Sequence, residues 1–430
     1  MATNKQNNQV LSIIKLFILW GKENLAAILM LLALYLFISK SLYNVPMGVM
    51  AILGLYRTLT IPGVLFKNNL IKIFCLLFLC IWTPMLLSLI DAFNPGRSAQ
   101  TVFPYLRFLF VGIYIIHEFQ SKPLWEKLNL GIFIIISFWC LDALIQYFFG
   151  IDLFGYPHLP GHIHGVFYPE ITIGHVTAAL SPLYFHTVYT YGKRFRWLWL
   201  LLLPLFMVIL LSGRRAAWIM LIVSMAGYAL YLCKMAHQKM LKRLVMVGAA
   251  FFFIAVLIII NNTNLKHRIE TTEGLFSSDF TIIDKASAYR LTLWRTAFVI
   301  FQDNWICGIG PRGFRYVYTR YSDPGNPFHE TGQTHPHQLV LEVLAETGLI
   351  GFTGLMLFVY IFYRFLKRQR LGMAIYPWWL AMLVATFPLN THMAFYGSYW
   401  SSLFWWLTVL SFAACAFYLS TKHADALNKV

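Results

Sequence analysis

Apolar residues occur along this chain in blocks of about 17 to 25, which short stretches with charged side chains separate. A helix of that length crosses about 30 Å of hydrocarbon, the thickness of a bilayer interior. Blocks such as LVMVGAAFFFIAVLIII do not alternate between apolar and polar positions, so the pattern favours helices over the strands of a membrane barrel. The sequence therefore predicts an all-α, polytopic transmembrane helical bundle.

The blocks predict about twelve membrane crossings. Their expected positions are 24–43, 46–66, 73–90, 101–119, 130–149, 171–192, 197–213, 215–233, 244–260, 338–363, 373–389 and 399–419. Residues 10–20 are expected to form an interfacial helix or to extend the first crossing. The predicted organisation has nine crossings in residues 1–260, one large polar segment at 261–336, and three crossings with a short tail in 337–430.

Basic residues are distributed unevenly between the loops on alternate sides of the predicted bundle. The short loops on one side are almost bare of them, and those on the other side contain Lys67, Lys72, Lys122, Lys127, Lys193, Arg194, Arg196, Lys234, Lys239, Lys242, Arg243, Arg364, Lys367, Arg368 and Arg370. Cytoplasmic loops of membrane proteins are enriched in lysine and arginine. This asymmetry predicts that both termini are cytoplasmic and that residues 261–336 lie on the outer side, as a periplasmic segment between crossings nine and ten.

The composition also favours a membrane protein over a soluble one. The chain is 59% hydrophobic and 12% charged, and about twice that charged fraction is usual in a soluble domain. The formal net charge of +17 is spread over loops between apolar blocks, so membrane topology explains it and we expect no nucleic-acid partner. The six cysteines show no CxxC spacing, so neither a disulfide framework nor a metal site is predicted.

The outer segment is the only long polar stretch, and long loops of this kind usually carry function. It contains six arginines, although outer loops normally carry few positive charges. They are Arg268, Arg290, Arg295, Arg312, Arg315 and Arg320. An anionic ligand would account for them, and the alternative is a solvated loop surface.

The turn between crossings seven and eight adds Arg214 and Arg215 on the same side. Guanidinium groups offer planar, forked donors that suit phosphate oxygens, whereas the alternative role is anchoring to lipid headgroups. Consecutive residues lie about 100° apart around a helix. We therefore expect one of the two side chains to face the bundle interior and the other to face the lipid.

His337 is the candidate base. Pro336 suits the first turn of a helix, with Thr334 or His335 as its cap, so His337 is expected at the helix start beside an apolar stripe through Leu341, Leu344 and Gly348. Histidine is the side chain best matched to proton abstraction near neutral pH, although a lone interfacial histidine is more often structural.

Other charged residues lie deeper in the predicted crossings. Pairing with bundle cations is favoured for Glu346 over a proton relay with Glu342. The partners of Arg57, Arg107 and Asp142 stay open.

The segment GIGPRGF superficially matches nucleotide-binding loops. It follows no predicted strand and lacks the Lys and Ser/Thr of a P-loop, so that interpretation fails. A glycine-rich turn that lets Arg312 approach a ligand or the membrane is more plausible.

Taken together, these motifs make the chain resemble the bacterial O-antigen ligases, in the superfamily that includes O-antigen polymerases. The similar residues are Arg290, Trp294 and Ala297 in YRLTLWRTA, Gly308, Gly310, Gly313 and Phe314 in GIGPRGF, and His337, Leu341, Glu346, Gly348 and Gly351 in HQLVLEVLAETGLIG. The family often has Asn after this histidine, and here the residue is Gln338, another amide.

The resemblance implies a membrane glycosyltransferase of the bacterial inner membrane. Its donor would be an undecaprenyl pyrophosphate-linked glycan at the periplasmic face, and its acceptor a sugar hydroxyl of the lipid A core. It implies His337 as the base and Arg215 and Arg290 as pyrophosphate ligands, with Arg214, Arg268 and Arg312 as weaker candidates. It implies no cofactor.

The chemistry agrees with the residues. A base activates the sugar hydroxyl, and fixed guanidinium groups stabilise the charge that grows on the departing pyrophosphate without a metal ion. A single direct displacement predicts inversion at the anomeric carbon. A polymerase that uses the same donor is the nearer alternative, and a transporter or flippase of a lipid-linked saccharide is the alternative from another class.

Overall fold

The computed structural model describes residues 21, 23–119, 122–159, 161–369, 373–387 and 393–427. Within these ranges the protein consists of helices and loops, with two isolated bridges and no strand, so the all-α class is confirmed. The predicted interfacial helix at residues 10–20 lies outside the described residues. The helices are α1 (Glu23–Ile38), α2 (Asn44–Thr60), α3 (Val64–Lys67), α4 (Asn69–Leu87), α5 (Pro95–Tyr105), α6 (Arg107–Glu118), α7 (Lys122–Phe149), α8 (Ile173–Tyr191), α9 (Leu202–Leu211), α10 (Arg215–Lys234), α11 (Gln238–Asn261), α12 (Thr263–Glu273), α13 (Phe280–Ala286), α14 (Arg290–Asp303), α15 (Phe314–Tyr321), α16 (Leu339–Gln369), α17 (Tyr376–Thr386) and α18 (Ser398–Leu427).

Seven helices in the described part of the chain are long and apolar enough to cross a membrane. They are Asn69–Leu87, Pro95–Glu118, Pro123–Phe149, Arg215–Lys234, Gln238–Asn261, Leu339–Arg368 and Ser398–Thr421. Each coincides with a predicted crossing, and the chain is a multi-pass membrane protein. The other predicted crossings correspond to the shorter helices α1, α2, α9 and α17 and to α8, whose polar residues lower its hydropathy. The count of about twelve stays a prediction.

Helix α18 forms the centre of the bundle and α11 lies at its edge. Within their candidate spans, 89% of the residues of α18 are buried, against 11% of those of α11. Trp405 of α18 is fully buried, stacks on Phe108 and makes further ring contacts with Phe78 and Tyr105. Lipid and core side chains are equally apolar, so dense aromatic packing rather than exclusion of water stabilises this centre.

Small residues allow neighbouring helices to approach closely. A Cβ atom on Gly54 of α2 would overlap with the backbone carbonyl of Phe110 in α6, and one on Gly354 of α16 would overlap with that of Cys80 in α4. Glycine is therefore required at both crossings, as is common where helices pack in membranes.

The charged residues inside the bundle have local partners. Arg57 pairs with Glu118 at 2.9 Å, and Arg107 donates to the Ser402 hydroxyl at 3.4 Å. The Asp142 carboxylate accepts the backbone N–H of Leu153 at 3.1 Å and therefore supports the loop after α7.

Helix α16 breaks at Gly348, where φ is +63° and ψ is −159°. The predicted apolar stripe through Leu341, Leu344 and Gly348 is therefore wrong, because it required a continuous helix. The chain after α14 inserts at the break: Leu349 N–H donates to the Trp305 carbonyl at 2.8 Å, and Ile309 N–H donates to the Ala345 carbonyl at 3.1 Å. A side chain at position 348 would overlap with the backbone of Ile306, so this contact also requires glycine.

We infer from its contacts that helix α14 runs parallel to the first part of α16. Leu293 and Ala297 share an apolar cluster with Leu341 and Ala345, while the end of α14 reaches the break at Gly348. The start of α14 therefore lies beside the start of α16, at the same end of this helix pair.

Candidate active site

Four arginines from three separate segments come together in what we call the arginine cluster: Arg214, Arg215, Arg268 and Arg290. Arg214 and Arg215 follow a tight turn at Gly213, where φ is +67°, and Arg268 and Arg290 belong to α12 and α14. Arg214 has extended backbone angles and precedes α10. Nη1 of Arg215 donates to Ala286 and Thr272, and Nε of Arg214 is buried, so both side chains lie against the protein and the prediction that one of them faces the lipid is wrong. That prediction assumed that both residues are helical.

The arginine cluster carries positive charge that no carboxylate among the described residues pairs with. Among the described residues, none of the four arginines forms an ion pair, and Nε of Arg214 is buried without a hydrogen-bond partner. Burial, and then the neighbouring Arg215 and Arg214, lowers the pKa of Arg290 to about 10. Burial and Arg215 likewise lower the pKa of Arg268. The groups stay charged at neutral pH while repelling one another, which is the property of an anion-binding site.

Neutral oxygen and nitrogen acceptors hold the cluster in place. Nη1 of Arg215 donates to the carbonyl of Ala286 at 2.7 Å and to the hydroxyl of Thr272 at 3.2 Å. Nη2 of Arg268 lies 3.0 Å from Nε2 of His162. These contacts fix two of the guanidinium groups without cancelling their charge.

The backbone before Arg290 is strained. Ala288 and Tyr289 both have left-handed angles, with φ values of +60° and +58°. Asp284 stabilises this turn, because its carboxylate accepts the N–H and the hydroxyl of Thr292. Strain of this kind persists only where surrounding contacts impose it, and it is frequent at functional sites. The turn presents Arg290 at the first position of α14.

His337 also has a left-handed backbone, with φ of +57°, and its ring centroid lies 3.9 Å from that of His335. Helix α16 begins at Leu339, and the side chain of Gln338 accepts the N–H of Leu341 at 2.5 Å. The predicted start at Pro336 with a Thr334 or His335 cap is therefore wrong. Because α14 and α16 run parallel, His337 lies at the same end of the pair as Arg290.

Arg312 has a different set of neighbours. Its backbone N–H donates to the Glu346 carboxylate at 2.6 Å, and its own φ is +64°. Nη1 of Arg312 is buried and lies near Gly397. The structure thus brings four of the five candidate arginines together and places Arg312 beside a carboxylate.

Glu342 and Glu346 hold loops by accepting backbone N–H groups. Glu346 binds the N–H groups of Arg312 and Phe314, and Glu342 binds those of Phe395 and Tyr396 at 2.8 and 2.9 Å. The predicted structural role of Glu346 agrees with these contacts. The cation near it is Arg312 of the outer segment, which acts on the carboxylate electrostatically and through its backbone N–H. The glycine turn at 308–314 packs against the break in α16, and a Cβ on Gly308 would overlap with the backbone of Glu346.

Two histidines at the edge of the arginine cluster were not predicted. The Nδ1–H of His162 donates to the Ser212 carbonyl at 2.9 Å, and His164 is buried behind it with Nδ1 bonded to the Glu170 carbonyl at 3.0 Å. Burial lowers the pKa of both, and Arg214 contributes in each case. The signal in the sequence is HLPGHIHGVF, which has three histidines in a Gly- and Pro-containing link between apolar blocks.

A family model described as O-antigen ligase matches residues 200–356. The match supports the O-antigen ligase/polymerase superfamily. The matched range contains the whole arginine cluster, Arg312 and His337, and it does not contain His162. No curated protein matches the chain. The match suggests a membrane glycosyltransferase-like enzyme, with a lipid-linked glycan and a lipid A core as partners of the general kind.

Proposed function

We propose that this protein is an O-antigen ligase of the bacterial inner membrane. It transfers the glycan of an undecaprenyl pyrophosphate-linked donor to a sugar hydroxyl of the lipid A core at the periplasmic face. The family match and the geometry of the arginine cluster support this assignment.

The topology we propose has about twelve crossings, cytoplasmic termini and residues 261–336 in the periplasm. Contacts between loops support one common outer side. His162 contacts Arg268, the Ser98 hydroxyl donates to the Pro311 carbonyl at 3.0 Å, and Glu342 holds Phe395. Each contact joins two segments for which the charge asymmetry predicts the outer side.

One observation carries the proposal: four guanidinium groups gather without a carboxylate counter-ion among the described residues. A pyrophosphate supplies that missing charge with oxygens that match forked donors. When the anomeric bond breaks, negative charge grows on the departing oxygen. Donors that are already in position stabilise this transition state more than the bound donor. We propose that the cluster performs this task without a metal ion.

His337 takes the proton of the acceptor hydroxyl as that oxygen attacks the anomeric carbon. Its place at the same end of the α14 and α16 pair as Arg290 supports the assignment. Attack from the face opposite the pyrophosphate inverts the configuration. An NMR assignment of a retained linkage in the product would contradict a single displacement.

Reconstitution in liposomes tests the function. The purified protein receives lipid-linked glycan and lipid A core in the presence of a chelator, and the products are separated by size. We expect glycan on the core, and loss of this transfer in His337→Ala with donor binding retained. A general acid or base contributes about 10²- to 10⁴-fold in rate. Movement of donor across the bilayer without transfer, unaffected by His337→Ala, would indicate a transporter instead.

A polymerase is the second candidate, because the family match supports both members of the superfamily. The same liposomes distinguish them. Lengthening of the lipid-linked glycan when lipid A core is present indicates polymerisation, whereas transfer to the core indicates ligation.

A further inference from the structure

His162 joins two parts of the arginine cluster that are distant in the sequence. It lies in the link between α7 and α8 and uses both ring nitrogens. Nδ1 lies 2.9 Å from the Ser212 carbonyl, and Nε2 lies 3.0 Å from Nη2 of Arg268, 106 residues further along the chain. The imidazole therefore bridges the turn that carries Arg214 and the helix that carries Arg268.

The two contacts fix the protonation state of the ring. A carbonyl oxygen only accepts, so Nδ1 carries the proton and donates to Ser212. Arg268 only donates, so Nε2 presents its lone pair. The ring is consequently neutral. Burial, with Arg214, Arg268 and His164 nearby, lowers the pKa of His162 and favours the same neutral form.

A neutral imidazole affects the charge of Arg268 differently from a carboxylate. Like charges in the cluster repel, so Arg268 requires a partner to stay beside Arg214. An aspartate or glutamate would hold it but would also cancel its charge and compete with a phosphate for the guanidinium donors. A neutral imidazole holds Arg268 and leaves its full positive charge for a ligand.

The residues around His162 pack closely against the turn at Gly213. A Cβ on Gly213 would lie 2.8 Å from the Gly161 carbonyl and 3.2 Å from Nδ1 of His162, so the link and the turn touch. The buried side chain of Gln146 accepts the N–H groups of His164 and Gly165 at 2.8 and 2.9 Å. The C-terminal part of α7 thus anchors the link and sets the position of the imidazole.

We propose that His162 is a positioning residue of the pyrophosphate site: its neutral ring holds Arg268 against the Ser212–Arg214 turn and preserves the charge that binds the anion. The proposal rests on the proposed function, since it takes the arginine cluster as the pyrophosphate site. It adds a residue from outside the matched range 200–356.

Binding of inorganic pyrophosphate to the full-length protein in nanodiscs tests the proposal without requiring glycan transfer. The variants are His162→Ala, His162→Gln and His162→Glu, and His158→Gln, in the same link, is the matched control. His162→Ala removes one hydrogen bond to the charged Arg268, so we expect the affinity for pyrophosphate to decrease about tenfold. His162→Gln, whose amide also donates and accepts, recovers most of that loss. His162→Glu binds more weakly than His162→Ala although it can still hold Arg268, and the control binds like the unchanged protein.

The outcomes separate the two proposals. Binding that is the same in the unchanged protein, His162→Ala and His162→Glu would overturn the positioning role and leave the pyrophosphate site intact. Absence of pyrophosphate binding by the unchanged, folded protein would overturn the site itself, and the positioning role with it. If His162→Ala does not fold, His162→Gln and His162→Glu still test the positioning role. Equal pyrophosphate affinity in these two variants contradicts that role, and weaker binding by His162→Glu supports it.

Discussion

The arginine cluster and the glycine turn at 308–314 both carry arginine side chains, yet different partners surround them. In the cluster, Arg215 and Arg268 are held by a carbonyl, a hydroxyl and an imidazole, all of them neutral. At the turn, the carboxylate of Glu346 accepts the backbone N–H of Arg312, and the charge of Arg312 acts on the carboxylates of Glu342 and Glu346. The first region keeps its positive charge available, and the second uses charge to hold the fold.

This difference indicates how a ligand site differs from a structural ion site in a membrane protein. Carboxylates inside the hydrocarbon are costly and are retained where they are well paired. Glu342 and Glu346 are paired in this way, each with two backbone N–H groups. Unpaired guanidinium groups that repel one another instead gain most when an anion arrives. Arginine can therefore serve stability in one region and binding in the other.

The largest expected effect is on the stability of the contact between the glycine turn at 308–314 and the break in α16. Gly348→Ala places a methyl group against the backbone of Ile306 at a residue whose φ is +63°, so we expect a loss of more than about 3 kcal/mol in stability and little folded protein. The yield of monodisperse protein and its melting temperature measure this. Gly325→Ala is the matched control, since a Cβ there meets open space. Normal folding of Gly348→Ala would show that the insertion at the helix break is not required.

The next effect is on the cluster. Arg290→Lys keeps the charge but removes the forked donors, so we expect the KM for the donor to rise about tenfold, or about 1.4 kcal/mol, with an unchanged melting temperature. Arg295→Lys, in the same helix but exposed and 3.7 Å from Asp323, is the control and should behave like the unchanged protein. Equal KM values for the two variants would contradict forked recognition at Arg290.

The smallest effect is on stability in acid. Burial lowers the pKa of His162 and His164 below the ordinary value of 6.5. The unfolded chain then binds more protons than the folded one just below that pH, so the stability that the neutral rings contribute is complete above about 6.5 and is lost as the pH falls through the folded values. We expect the melting temperature to decrease from about pH 7.5 to about pH 5.5, and to decrease less in His162→Gln. An identical pH dependence would assign the change to other groups.

The sequence predicted the helical class and the positions of the helices, because block length is a local property of the chain. It also predicted the arginine turn at 213–215, and the association of this turn with a ligand site stays a prediction. Local sequence patterns did not predict the helix boundaries where the backbone has positive φ. His337 and Gly348 both have positive φ, so α16 begins later than predicted and breaks where a continuous stripe was expected.

Contacts between distant segments were the other failure. No spacing rule relates His162 to Arg268, since they are 106 residues apart and meet only when the link after α7 folds over the turn at Gly213. The partners of Glu346 were predicted only in part for a similar reason. A carboxylate in an apolar block suggests a cation, and Arg312 lies near it, but its hydrogen-bond partners are the N–H groups of an inserted loop.

The central claim is that charge held by neutral partners marks the pyrophosphate site and that charge beside carboxylates does not. Calorimetric titration of inorganic pyrophosphate into Arg268→Gln and Arg312→Gln, each in nanodiscs, tests it most directly. We predict an affinity about tenfold lower for Arg268→Gln and within about twofold of the unchanged protein for Arg312→Gln. An equal loss in both, or a larger loss in Arg312→Gln, would contradict it.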